Sequence, residues 1–129
     1  MERLEVAEIC IFCSEPSLQP VPVHAQYWTV SHNDFPYTGA RLHLLIVPSR
    51  HVTDLLDLRD EELAEFWQIG RQLRDLYHLD YYGLGARCGD CRFTGGTIAH
   101  VHVHLIVGDA DNEDHIPVRM KLSSRPNNW

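Results

Sequence analysis

Between residues 100 and 107 the chain reads His100-Val101-His102-Val103-His104-Leu105-Ile106-Val107, an alternation that admits little besides a β-strand. Successive side chains of a strand point to opposite faces. The three imidazoles therefore share one face, and Val101, Val103 and Leu105 share the other. The apolar face can fill a core. The imidazole face needs a polar purpose, because neighbouring histidines desolvate one another and resist a second positive charge. Just upstream stands Thr94-Gly95-Gly96-Thr97. Paired glycines let a backbone approach a ligand and aim its N–H groups at an anion. Three readings compete: a histidine stripe without a role, a site for a hydrolytic metal, and a histidine nucleophile held in one tautomer through its other nitrogen.

The remaining pattern supplies partners for that strand. Residues 25–30 and 42–47 read as strands, residues 81–87 as a strand weakened by glycines, and residues 117–122 as a last strand. Residues 60–79 form the main helix, with Leu63, Phe66, Trp67, Gly70, Leu73 and Tyr77 on one face and Glu61, Glu62 and Glu65 off it. Residues 1–9 suggest a short helix or strand. Residues 15–23, with three prolines, suggest a loop, as do residues 89–97 and the acidic residues 109–114. Residues 123–129 read as irregular. The order predicts an α+β fold, an antiparallel sheet of about five strands carrying one main helix. A length of 129 residues suits one domain, with a core over about 10–107 and a tail over 108–129.

A net charge of −7 argues against binding nucleic acid or an anionic membrane, both of which need a basic surface. Without an apolar leader segment at the N-terminus, the chain is expected in the cytoplasm. There, the pairs Cys10/Cys13 and Cys88/Cys91 point to metal or redox chemistry more than to a disulfide framework. Four cysteines around one metal, one pair completed by other ligands, and thiols with a local Cys88/Cys91 disulfide all stay open.

Residues 100–106 resemble, position by position, the motif of the histidine-triad (HIT) superfamily: His, apolar, His, apolar, His, apolar, apolar. The segment His43-Leu44-Leu45-Ile46-Val47-Pro48-Ser49-Arg50-His51 is similar to that family's second landmark, and Cys10-Ile11-Phe12-Cys13 to the opening of many bacterial members. The resemblance covers residues 10–107. Two departures stand out. Gly96 occupies the place where many members carry Gln, and Cys88-Gly89-Asp90-Cys91 lies where an Asn is usual.

The resemblance implies a HIT-like fold paired as a homodimer across the main helix and an edge strand. It implies that His102 attacks the α-phosphorus of a nucleotide, a purine nucleoside phosphate, forming a covalent nucleotidyl-histidine that water or another acceptor then releases. Dinucleoside polyphosphates and nucleoside phosphoramidates are the expected substrates. His104, Thr97 and the backbone at Gly95 and Gly96 would meet the phosphate charge, His43 would support the cluster, and Asn33 would contact the ribose. Structural zinc is implied on Cys10, Cys13, His51 and His100. Nothing in the sequence builds a second basic anion pocket, which favours water over phosphate as acceptor. A phosphorolytic nucleotidylyltransferase is the alternative within the enzyme class, and a zinc-stabilised nucleotide-binding module without turnover is the alternative outside it.

Overall fold

A computed structural model describes residues 10–14, 19–96 and 98–122, so the expectations for residues 1–9, 15–18, Thr97 and 123–129 lie outside the described residues. Strands β1 (Trp28–His32), β2 (Ala40–Pro48), β3 (Gly83–Ala86) and β4 (Val103–Gly108) form one antiparallel sheet. Their order is β1-β2-β4-β3. The helices are α1 (Ile11–Ser14), α2 (Asp60–Tyr77) and α3 (Cys91–Thr94), the last inside the predicted loop over 89–97. Alternation sorts the two faces of the sheet. Leu44 and Ile46 of β2, Val103, Leu105 and Val107 of β4, and Ile69 and Leu73 of α2 form one buried cluster. His43 and His104 stand on the opposite face.

The histidine strand starts later than its alternation predicts. The ladder with β2 begins where Val103 faces Ile46. His100 and His102 lie in an extended lead-in, pinned where the Val101 N–H donates to the Val52 carbonyl at 2.7 Å. The in-out alternation survives, with Val101 fully buried in the core.

Two further expectations are corrected. Four strands stand where about five are predicted, because residues 117–122 add no strand among the described residues. The chain reverses through an exposed acidic loop, where the Asn112 N–H donates to Asp109 O and the His115 N–H to Asn112 O. The tail then crosses the sheet end. Pro117 has no N–H to give to a ladder, and the Lys121 carbonyl is taken by Arg87 Nε at 2.7 Å. Glycines admit this crossing: a Cβ at Gly39 (φ +92°) would meet Ile116 O at 2.6 Å, and one at Gly85 would meet Met120 Sδ at 2.6 Å.

The second correction concerns α2. Its buried stripe runs through Glu62, Phe66, Ile69, Leu73 and Tyr77, while Leu63 and Trp67 are exposed. Glu62 sits inside because it is fully partnered. Its carboxylate accepts from the Arg59 N–H at 2.8 Å, satisfying a donor at the helix N-terminus, and pairs with Arg50 at 2.8 Å. The hydrogen bond from Arg50 holds the Glu62 carboxyl below its usual range. Removing the Glu62 carboxylate strands the Arg59 N–H at the helix start and leaves the partly exposed Arg50 to water. Glu62→Ala is expected to cost about 1–2 kcal/mol in urea unfolding, and a loss under about 0.5 kcal/mol would contradict this role.

Candidate active site

Backbone partners fix the tautomers of His43, His100 and His102, and His43 in turn fixes that of His104. Tyr37 donates its N–H to His43 Nδ1 at 3.0 Å, so the proton of a neutral His43 rests on Nε2. His43 Nε2–H then donates to His104 Nδ1 at 2.7 Å. The proton of His104 is thereby placed on Nε2, a buried atom with no hydrogen-bond partner among the described residues. His102 Nδ1–H donates to the His100 carbonyl at 3.0 Å, which leaves the lone pair of Nε2 uncommitted. One nitrogen is thus prepared to attack, and one N–H is prepared to donate. Their rings stand 5.0 Å apart between centroids.

Both atoms belong to residues lining a cleft of about 420 Å³, together with Asn33, Gly95 and Gly96. Asn33 lies at this cleft and also serves the local chain. It walls the cleft, and its Oδ1 accepts from the Phe35 N–H at 2.9 Å in a local turn. Gly95 closes α3 in the left-handed region at φ +81°. The Gly96 N–H already donates to Thr94 Oγ1 at 3.2 Å, so this amide is engaged within the loop rather than held open for an anion.

Several residues of the site escape the sequence pattern. Tyr37 stacks on His104 and sets its edge against His43. Phe12, between the two cysteines, sets its edge against both His100 and His102. Arg87, Arg119 and Lys121 also line the cleft, which corrects the expectation that no basic anion pocket is built. Arg119 and Lys121 arrive on the returning tail, a placement that spacing along the chain could not signal.

At the lead-in to β4, Cys10, Cys13, His51 and His100 bring four candidate ligand atoms within 4.8 Å of one another. Cys10 Sγ and Cys13 Sγ lie 3.2 and 3.3 Å from His100 Nδ1, and Cys13 Sγ lies 3.4 Å from His51 Nδ1. Tetrahedral zinc with its usual bond lengths separates sulfur and nitrogen by about 3.5 Å. His100 Nε2–H donates to the Pro48 carbonyl at 2.8 Å, turning Nδ1 toward the cysteines as a metal-bound imidazole requires. These residues fit zinc. Cys88 and Cys91 stand outside the group, and among the described residues no disulfide joins any cysteine.

Burial lowers the pKa of all four rings near the cleft. His102 is lowered first by desolvation and then by the charge of Arg87. His43 falls to about 4, from burial and then the charge of His102. His104 falls to about 3, from burial and then His102, His43 and Arg87. Neutral rings at pH 7 are what the donor chain from Tyr37 to His104 needs. In the unfolded chain both rings take up protons below about 6.5. The unfolded state then binds more protons, so acid favours it. Stability should be full above pH 6.5 and fall as pH drops toward 4 and then 3. Urea titrations near neutrality and at about pH 5 check this, and His43→Asn should flatten the dependence.

The model of the HIT domain family matches residues 23–111. The bis(5'-adenosyl)-triphosphatase of Dictyostelium discoideum is 27% identical over 92 residues, spanning 67% of this chain and 62% of that protein. A histidine triad protein from Clostridium difficile is 22% identical, with a TM-score of 0.64 over 93% of this chain and 100% of that one. A Zn-bound histidine triad family protein from Mycobacterium smegmatis is 21% identical, with a TM-score of 0.60 over 86% and 82% of the two chains.

Proposed function

The chain belongs to the HIT domain family, and from that membership we propose that it is a nucleotide hydrolase or transferase that cleaves a nucleoside phosphate–leaving-group bond through a covalent intermediate on His102. The observation that carries this reading is the fixed tautomer of His102. Its Nδ1–H is held by the His100 carbonyl, so Nε2 meets the cleft as a neutral nucleophile. His104 Nε2–H, held by His43 and Tyr37, donates to an oxygen of the phosphoryl group as charge accumulates there. That donor is positioned before substrate arrives, so no reorganisation is needed during the reaction. By family resemblance Thr97 and Gly95 would meet the phosphate, and Asn33 would contact the ribose. The triphosphatase relative supports a purine dinucleoside polyphosphate as substrate.

Cys10, Cys13, His51 and His100 would hold structural zinc. Bound there, the metal would supply a rigid tie between the N-terminal segment and the lead-in carrying His102, outside the displacement itself. The residues themselves keep Phe12 against the nucleophile. The whole chain forms one domain in this reading, with residues 108–129 as a tail on a core over 10–107, and acts in the cytoplasm. Among the described residues no helix is long and apolar enough to cross a membrane. Leu63 and Trp67 of α2 and Leu84 of the edge strand β3 are exposed, and we place the homodimer contact there.

Incubation with diadenosine polyphosphate or AMP-morpholidate tests the reading. Release of AMP is expected. Binding without turnover would favour a nucleotide-binding module instead.

A further inference from the structure

Resting on the nucleotidyl-transfer reading above, we propose that Arg87, Arg119 and Lys121 form a second phosphate subsite beside His102, which selects substrates whose leaving group is itself a phosphate chain. In a protein with a formal net charge of −7, the cleft wall carries these three cations and no carboxylate among the described residues. Such segregation is costly unless an anion is expected there. Arg87 is already committed to building the place. Its Nη1 donates to Tyr37 Oη at 3.0 Å, and its Nε donates to Lys121 O at 2.7 Å, which ties the tail to the cleft. Arg119 and Lys121 stay exposed, and among the described residues neither is ion-paired. Two exposed cationic heads lining the cleft suit a flexible polyanion.

The chemistry explains why such cations belong beside this nucleophile. His102 Nε2 forms an N–P bond to the α-phosphorus while the P–O bond to the β-phosphate breaks. The bonding electron pair goes to the β-phosphate oxygen, which leaves with one more negative charge. Arg119 and Lys121 stabilise that charge where it develops. Water then forms an O–P bond, the N–P bond breaks with its pair returning to Nε2, and the proton of the water passes to solvent. An amine leaving group departs only after gaining a proton, so it gains nothing from nearby cations.

The same subsite chemistry could serve inorganic phosphate as acceptor, and the experiment separates the two sources. The ratio of kcat/KM for diadenosine triphosphate to that for AMP-morpholidate is measured in the parent protein and in the Arg119→Gln/Lys121→Gln variant. The ratio should fall at least about tenfold, since two charge-assisted phosphate contacts are lost. An equal fall for both substrates, or no fall, overturns the subsite. In parallel, calorimetry measures binding of inorganic tripolyphosphate, which needs no turnover. At least about tenfold weaker binding to the variant is expected, and equal binding overturns the proposal. If the parent protein turns over neither substrate, the catalytic reading fails while the tripolyphosphate result still decides the subsite. With inorganic phosphate added to the AMP-morpholidate reaction, in which no ADP departs as leaving group, AMP is the expected product. ADP formation that disappears in the variant, with the substrate ratio unchanged, overturns the leaving-group assignment in favour of the acceptor.

Discussion

His102→Ala is expected to lower kcat/KM for diadenosine polyphosphate and for AMP-morpholidate alike by roughly 10⁴-fold or more, the effect of removing the proposed covalent nucleophile. The size follows from what disappears. The proposed route through a nucleotidyl-histidine would split one displacement at phosphorus into two easier ones, and no other ring in the cluster has a free lone pair to take the place of His102. His43 has both nitrogens engaged, by the Tyr37 N–H and by His104. His104 has its lone pair engaged by His43, leaving only a donor toward the cleft. His100 gives one nitrogen to the Pro48 carbonyl and turns the other toward the cysteines. The substitution removes one hydrogen bond, to the His100 carbonyl, and one edge contact with Phe12. Stability should therefore change by about 1 kcal/mol. A variant that folds normally and keeps more than about a tenth of the parent kcat/KM would show that another group attacks.

Loss of the metal should have the largest effect on stability. Cys13→Ser is expected to remove bound zinc and lower stability by about 3 kcal/mol, or roughly 10 °C in Tm for a chain of this size. This is well below what zinc contributes to a small finger, because the buried cluster of β2, β4 and α2 includes none of the four candidate ligands. The loss is still large, because α1 makes its described long-range contacts at this group and at His102. Burial, then the hydrogen bond and charge of Cys10, push the Cys13 thiol up. A divalent cation offsets that cost by favouring the thiolates. Activity should fall as well, since Phe12 loses its hold beside His102. Cys88→Ser is the control. It should keep its zinc, because Cys88 sits by the Leu55 N–H and outside the ligand group. Metal analysis by mass spectrometry reads both, and loss of zinc from Cys88→Ser would contradict the ligand set.

What could be read from the chain was whatever repeats locally. The α2 helix shows in its three-and-four spacing, and its end at Tyr77 follows from His78 entering the left-handed region. The imidazole face shows in a two-residue period. The ligands Cys10, Cys13, His51 and His100 came through family resemblance, and the structure brings those four together. The misses share one cause, which is pairing between residues far apart in sequence. Glu62 looks like a surface acid until Arg50 and the Arg59 N–H are placed against it. Leu63 and Trp67 look like core until the sheet is seen to meet the neighbouring stripe of α2. Residues 117–122 look like a strand until the turn at 109–115 sends them across Gly39 and Gly85. That same turn carries Arg119 and Lys121 into the cleft, so the basic character of the site has no local signature.

Trapping the intermediate tests the central claim most directly. The protein is quenched in denaturant during turnover of diadenosine polyphosphate, digested, and mapped by mass spectrometry under conditions that preserve the acid-labile N–P bond. A single AMP adduct on the His102 imidazole is the predicted result. An adduct on His104 or His43, or turnover with no adduct on any histidine, would contradict it.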